Sequence, residues 1–111
     1  MSALAPKSAA PIKDTVPELT AIITSFFSGD VDKAHAMLGP DLRARLGKPA
    51  LKGVFDEVGK LRKISLTAFK KTPEGRETTH RIEFANDTAI VIATFDAKNV
   101  IIKVLIRPAG E

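Results

Sequence analysis

The chain has 111 residues, 44% hydrophobic and 27% charged, with a formal net charge of +4. That is the composition of one ordinary globular domain with one core. There is no cysteine, which excludes a disulfide framework, a thiolate nucleophile and a Cys-based zinc site. No apolar run approaches the roughly 18–20 residues needed to span a bilayer. The chain is expected to be soluble, either exported with a signal removed or cytoplasmic, and composition does not choose between these compartments.

Residues 1–16 read as a disordered tail, rich in Ala, Pro, Ser and Lys. They lack the apolar stretch of roughly 7–15 residues that a signal peptide carries. A single domain is expected over 17–108. Its first helix starts near Pro17, because Pro suits the first helical position. Leu19, Ile22, Ile23, Phe26 and Phe27 recur at helical spacing and form one apolar stripe. Gly29 ends this helix and Asp30 caps a second, with Val31, Ala34 and Leu38 inward. Gly39-Pro40 breaks that helix. Asp41 opens one further turn containing Leu42 and Leu46. Lys48-Pro49 begins a third helix, which buries Leu51, Val54, Phe55 and Val58 and stops at Gly59.

After Leu61 the period changes from helical to alternating. Four strands are expected: Arg62 to Lys71, Arg76 to Ala85, Thr88 to Asp96 and Val100 to Arg107. A tight turn at Asn86-Asp87 would pair Phe84 with Ala89, Ile82 with Val91 and His80 with Ala93. The inner face then holds His80, Ile82, Phe84, Ala89, Val91, Ala93 and Phe95. Polarity sets the register of the last strand, because a one-residue slip would flip it. It places Val100, Ile102, Val104 and Ile106 on the inner face, joined by Ile64, Leu66 and Ala68. The outer face keeps Ile90, Ile92, Ile101 and Leu105 among charged residues. Such an aliphatic cluster marks an interaction surface, so a homodimer through this face is expected. The fold class is α+β, with three N-terminal helices on a curved four-stranded antiparallel sheet.

No catalytic constellation is legible. His80 falls on the apolar face without an Asp or Glu on that face to partner it as a general base. His35 stands three residues after Asp32 on a helix and reads as a solvated pair. Asp56 and Glu57 lie off the apolar stripe of their helix, and Asp96 sits at a turn. No metal-ligand spacing and no cofactor motif occur. The basic residues alternate with acidic ones, so nucleic-acid binding is not expected; it would need Arg43, Arg45, Lys48, Lys52, Lys60, Arg62 and Lys63 on one surface. Phe26, Phe55, His80, Phe84 and Phe95 are the candidate lining of a pocket for a small apolar ligand.

The segment Ser28-Gly29-Asp30-Val31-Asp32-Lys33-Ala34, Phe26-Phe27 before it, the helix end Leu51…Phe55…Val58-Gly59, Phe95-Asp96 and the closing Ile101…Leu105-Ile106-Arg107-Pro108 carry a resemblance. The chain resembles the nuclear-transport-factor-2-like (cystatin-like) superfamily from about Pro17 to Pro108. Within it, the chain is most similar to a small bacterial domain of unknown function that occurs alone or ahead of α/β-hydrolase domains. Asn99 stands where a turn Gly is expected, and Asn also enters the left-handed region. Lys103 stands where a Gly is common. The resemblance implies a cone whose sheet wraps around helices and leaves a pocket at the wide end. Members of the superfamily include isomerases or dehydratases, small-molecule binders and domains that only dimerise or assist a neighbour, and fold alone does not choose among them. With the residues above, the expectation is a non-enzymatic accessory or binding domain, dimeric through the outer sheet face and able to hold a small apolar ligand. The alternative is an isomerase- or dehydratase-like enzyme with His80 in the pocket.

Overall fold

The structure is a computed structural model that describes residues 16–109. Residues 1–15 of the expected tail lie outside the described residues. Val16 does not belong to a tail: it is buried in the core and precedes the first helix.

Helix α1 spans Pro17–Phe26, α2 Val31–Ala36, α3 Pro40–Arg45 and α4 Lys48–Val58. The stripe read from the sequence is the one buried: α1 covers Leu19, Ile23 and Phe26, and α4 covers Leu51, Phe55 and Val58. The Asp30 carboxylate accepts from the Lys33 N–H at 3.1 Å and so caps α2. The helix count corrects the expectation of three. Gly39-Pro40 ends α2 but also starts α3. Pro40 takes the first position, where its missing N–H costs nothing, and the Gly39 carbonyl accepts from the Arg43 N–H at 2.8 Å.

Strands β1 (Leu61–Thr72), β2 (Gly75–Phe84), β3 (Thr88–Phe95) and β4 (Ile101–Pro108) form one antiparallel sheet in the order β1-β2-β3-β4. The β2–β3 register differs from the expected one by two residues: Ile82 pairs with Ala89, His80 with Val91 and Thr78 with Ala93. The cause is tertiary. The Ala85 N–H donates to the Lys60 carbonyl at 2.8 Å, and the Asn86 N–H to the Val58 carbonyl at 2.9 Å. The end of α4 thus draws Ala85 and Asn86 out of the ladder, and the loop lengthens from two residues to four. A shift of two keeps side-chain parity. Thr78, His80, Ile82, Phe84, Ala89, Val91, Ala93 and Phe95 are therefore all buried on the inner face.

Two bulges change parity and overturn two assignments. One between Leu66 and Ala68 in β1 turns Ala68 outward and sets Phe69 opposite buried Thr78. The other lies where Thr94 pairs with Lys103 but Phe95 pairs with Ile101. Ile101 consequently faces inward and is fully buried, at 0% exposure. It cannot belong to an outer dimer face, and half-buried Ile102 is the extra residue. Val104 and Ile106 keep the inner positions expected of them. The Asn99 expectation holds: its φ is 66°.

Candidate functional site

His80 sits mid-strand on β2 between Leu66 of β1 and Val91 of β3, and is fully buried. Its Nε2 lies 2.8 Å from the Thr20 hydroxyl of α1. The bond ties the first helix to the centre of the sheet. His35 does not meet Asp32 as a pair; the Asp32 carboxylate lies 3.0 Å from the Lys48 ammonium.

The five candidate pocket residues are all buried but do not converge. Phe26 packs edge to face on Phe55 at 5.8 Å. Phe27 joins them, at 4.9 Å from Phe26, 5.9 Å from Phe55 and 5.2 Å from Phe84. Sequence reasoning undervalued Phe27, which is the hub of this cluster; its place at the helix end beside the sheet is what the sequence does not show. Phe95 stands opposite Arg76, eight residues along β2 from Phe84, which is about 26 Å at strand rise. His80 lies midway. The inner face is therefore buried along its length, with Phe26, Phe27, Phe55 and Phe84 clustered at one end and Phe95 at the other.

Among the described residues, surface clefts lie around this core, four of which are the following. One of about 380 Å³ has Phe27 and Phe55 in its lining, with Asp56 and Lys60 at the rim. A small cleft lies over Phe69, Lys70 and Glu77 of the β1–β2 hairpin. The other two flank β4. One of about 300 Å³ includes Asp41, Leu42, Arg45, Ile102 and Lys103; one of about 290 Å³ includes Val54, Glu57, Asp87, Ile106 and Arg107. His80 lines none of the four.

The outer sheet face is divided across the strands. Register aligns Ser65, Arg81, Ile90 and Arg107 in one row, Ala68, Thr79, Ile92 and Leu105 in the next, and Lys70, Glu77, Thr94 and Lys103 in a third. The aliphatic residues therefore gather at the β3–β4 side. Ile90 and Ile92 are half-buried, and Leu105 is 52% exposed. Toward β1 the same face is polar.

Charge is dispersed. Lys70 pairs with Glu77 at 3.2 Å, Lys52 with Asp56 at 2.9 Å, and Arg76 with Glu18 at 3.6 Å. Arg76 also donates to the Asn99 side chain. The hydrogen bond to Asp56 raises the pKa of Lys52, and the hydrogen bond from Lys103 lowers that of Glu74. The basic residues Arg43 to Lys63 are spread over α3, α4 and β1, with Lys48 and Lys52 neutralised by acids. Among the described residues no cluster of three metal-ligating side chains occurs, and no helix is long and apolar enough to cross a membrane. No family model, no curated protein and no solved structure matches the chain.

Proposed function

We propose that this chain is a non-enzymatic accessory or binding domain of the nuclear-transport-factor-2-like type, which pairs with a second copy through its outer sheet face. The observation that carries the reading is the one-sided outer patch: Ile90, Ile92 and Leu105 lie together, with the half-exposed Leu105 at its centre row. Water-facing positions on an antiparallel sheet are ordinarily polar, as they are here on β2 and, apart from Ala68, on β1. The burial of the inner-face residues, His80 included, supports placing interaction on this outer face rather than in a ligand-holding cone. A small apolar ligand would be left with the shallow cleft beside Phe27 and Phe55.

Size sets the strength expected. A four-stranded face with about eight residues per strand projects to roughly 500 Å². A standard interface uses about 800 Å² per partner. A face of this size lies at the small end for a stable interface, so a weak dimer is expected. Sedimentation velocity at tens of micromolar should show a concentration-dependent dimer, and Leu105→Glu should return it to monomer without loss of fold. A monomer across that range in the unaltered protein would refute the reading.

A further inference from the structure

The two edges of the sheet are built differently. β1 carries two bulges and exposed Arg62, Lys63, Lys70 and Lys71. Bulges and edge lysines are devices that stop a foreign strand from adding. β4 carries one bulge, at Ile102, with exposed Lys103 and Arg107 and a closing Pro108, so only the stretch from Val104 to Ile106 lacks both bulge and charge. Residues Ile102 to Ile106 read Ile-Lys-Val-Leu-Ile, four of the five aliphatic.

The backbone of that stretch points outward from the sheet. The Ala109 N–H donates to the Thr88 carbonyl at 3.1 Å, which fixes the phase of the β3–β4 ladder. Antiparallel alternation then turns the N–H and C=O groups of Val104 and Ile106 toward the free edge. Among the described residues no hydrogen bond reaches them from that side. Pro108 falls in the same phase, where its missing N–H costs nothing. The fold already uses this edge once. Leu38 forms a parallel bridge with Ile101, through Gly39 N–H to Ile101 carbonyl at 2.7 Å and Ile101 N–H to Met37 carbonyl at 3.2 Å. Pro40 then diverts the chain into α3, and the positions beside Val104 and Ile106 stay open.

We propose that this open edge receives an extended segment of a partner protein as a fifth strand, with aliphatic residues facing inward and acidic residues facing outward. The inward side chains come beside Ile102, Val104 and Ile106, where a cleft opens at each end of the strand. These clefts carry Asp41, Glu57 and Asp87, which disfavours acids on the inner side. Outward, the new strand meets Lys103, Leu105 and Arg107. Acids spaced four residues apart would face the two cations, about 13 Å apart along the strand. Arg107 has no ion pair among the described residues, and the Lys103–Glu74 pair, at 3.2 Å, is solvent-exposed and readily exchanged. A second copy fits this edge less well: antiparallel pairing of β4 with itself about Leu105 would set Lys103 against Arg107 of the copy. Main-chain bonds would give affinity and the alternating side chains specificity.

The test uses a fluorescein-labelled peptide with a Glu-Val-Leu-Val-Glu core, read by anisotropy on the full chain at low salt. The peptide should bind, and its counterpart with Lys for both Glu should bind about tenfold more weakly. N-methylation at the peptide amides that face β4 should abolish binding, whereas methylation at the intervening amides should not; this arm leaves the protein unaltered. Val104→Pro should also abolish binding with the thermal midpoint kept, and Glu74→Gln, which frees Lys103, should tighten it. Equal binding of the Glu and Lys peptides, indifference to the methylation pattern, or a self-association lost in Val104→Pro without any peptide binding would each overturn the proposal. The last outcome would assign the edge to a second copy.

Discussion

Thr20→Val tests whether His80 is a structural group. The substitution keeps the β-branched shape of Thr20 and removes only its hydroxyl. That hydroxyl lies 2.8 Å from Nε2 of an imidazole with no solvent exposure. Removing one partner of a buried polar group costs about 1–3 kcal/mol, because the desolvation of the other partner is no longer offset. A domain of this size is held by about 5–15 kcal/mol, so the loss is a sizeable fraction. At about 4–8 °C per kcal/mol for a chain of this length, the thermal midpoint should fall by roughly 5–20 °C. Urea titration followed by far-ultraviolet circular dichroism gives the free energy directly. Thr20→Ser, which keeps the oxygen, should lie much closer to the unaltered protein. His80→Leu completes a double-mutant cycle with Thr20→Val, and the coupling should be about 0.5–3 kcal/mol, as for residues in contact. A Thr20→Val protein within about 0.3 kcal/mol of the unaltered one would refute the reasoning. The bond would then contribute nothing measurable to stability.

Phe27→Ala should cost about 3–5 kcal/mol, the range for a buried Phe truncation, since its ring touches three others; urea denaturation reads this out. Ile101→Asp should prevent folding whereas Leu105→Asp should leave the circular dichroism spectrum intact, because the first is fully buried and the second half-exposed; the opposite result would mean the bulge in β4 is misplaced. Glu74 titrates below its usual value because of Lys103. Its pair therefore contributes above the ordinary carboxylate range and is lost as pH falls through the lowered value. Lys103→Ala should move the Glu74 titration upward, as followed by the side-chain carboxyl resonance.

Helix faces were legible because local spacing sets them: Leu19, Ile23 and Phe26 needed no knowledge of their partners. Sheet faces were legible for β2 and β3 because parity survives an even register shift. The register itself was not, since it depends on the carbonyls of Val58 and Lys60, remote in sequence from the hairpin they distort. The β4 error has the same origin. Polarity argued that Ile101 faces out with Leu105, but the Asp96 side chain accepts from the Lys98 and Val100 N–H groups at 2.8 and 3.0 Å. That local turn, together with the bridge to Leu38, seats Ile101 against Phe95. Asp at the first position of a turn was a usable signal for the first of these contacts; nothing local announced the second. The spread of the candidate pocket residues along the sheet has a different origin. Sharing a sheet face states which side a residue takes and says nothing about distance along the strand, so Phe84 and Phe95 were grouped although the length of β2 separates them.

The outer patch and the β4 edge meet at Leu105, and this makes the two proposed interactions separable only by residues on either side of it. Leu105→Glu would weaken a face-to-face dimer and would also place an acid beside the acids of an added strand. Ile90 belongs to the face alone: it lies on β3, with Arg107 between it and the free edge. Val104 belongs to the edge alone, because its side chain faces the core side and its backbone faces the open slot. Ile90→Lys should therefore abolish dimerisation and spare peptide binding, and Val104→Pro should do the reverse. If both variants abolish both activities, one surface serves both, and an added strand at β4 would have to extend the same face on which the second copy packs. That outcome would couple the two events, with partner binding enlarging an interface that is otherwise too small to hold a stable dimer.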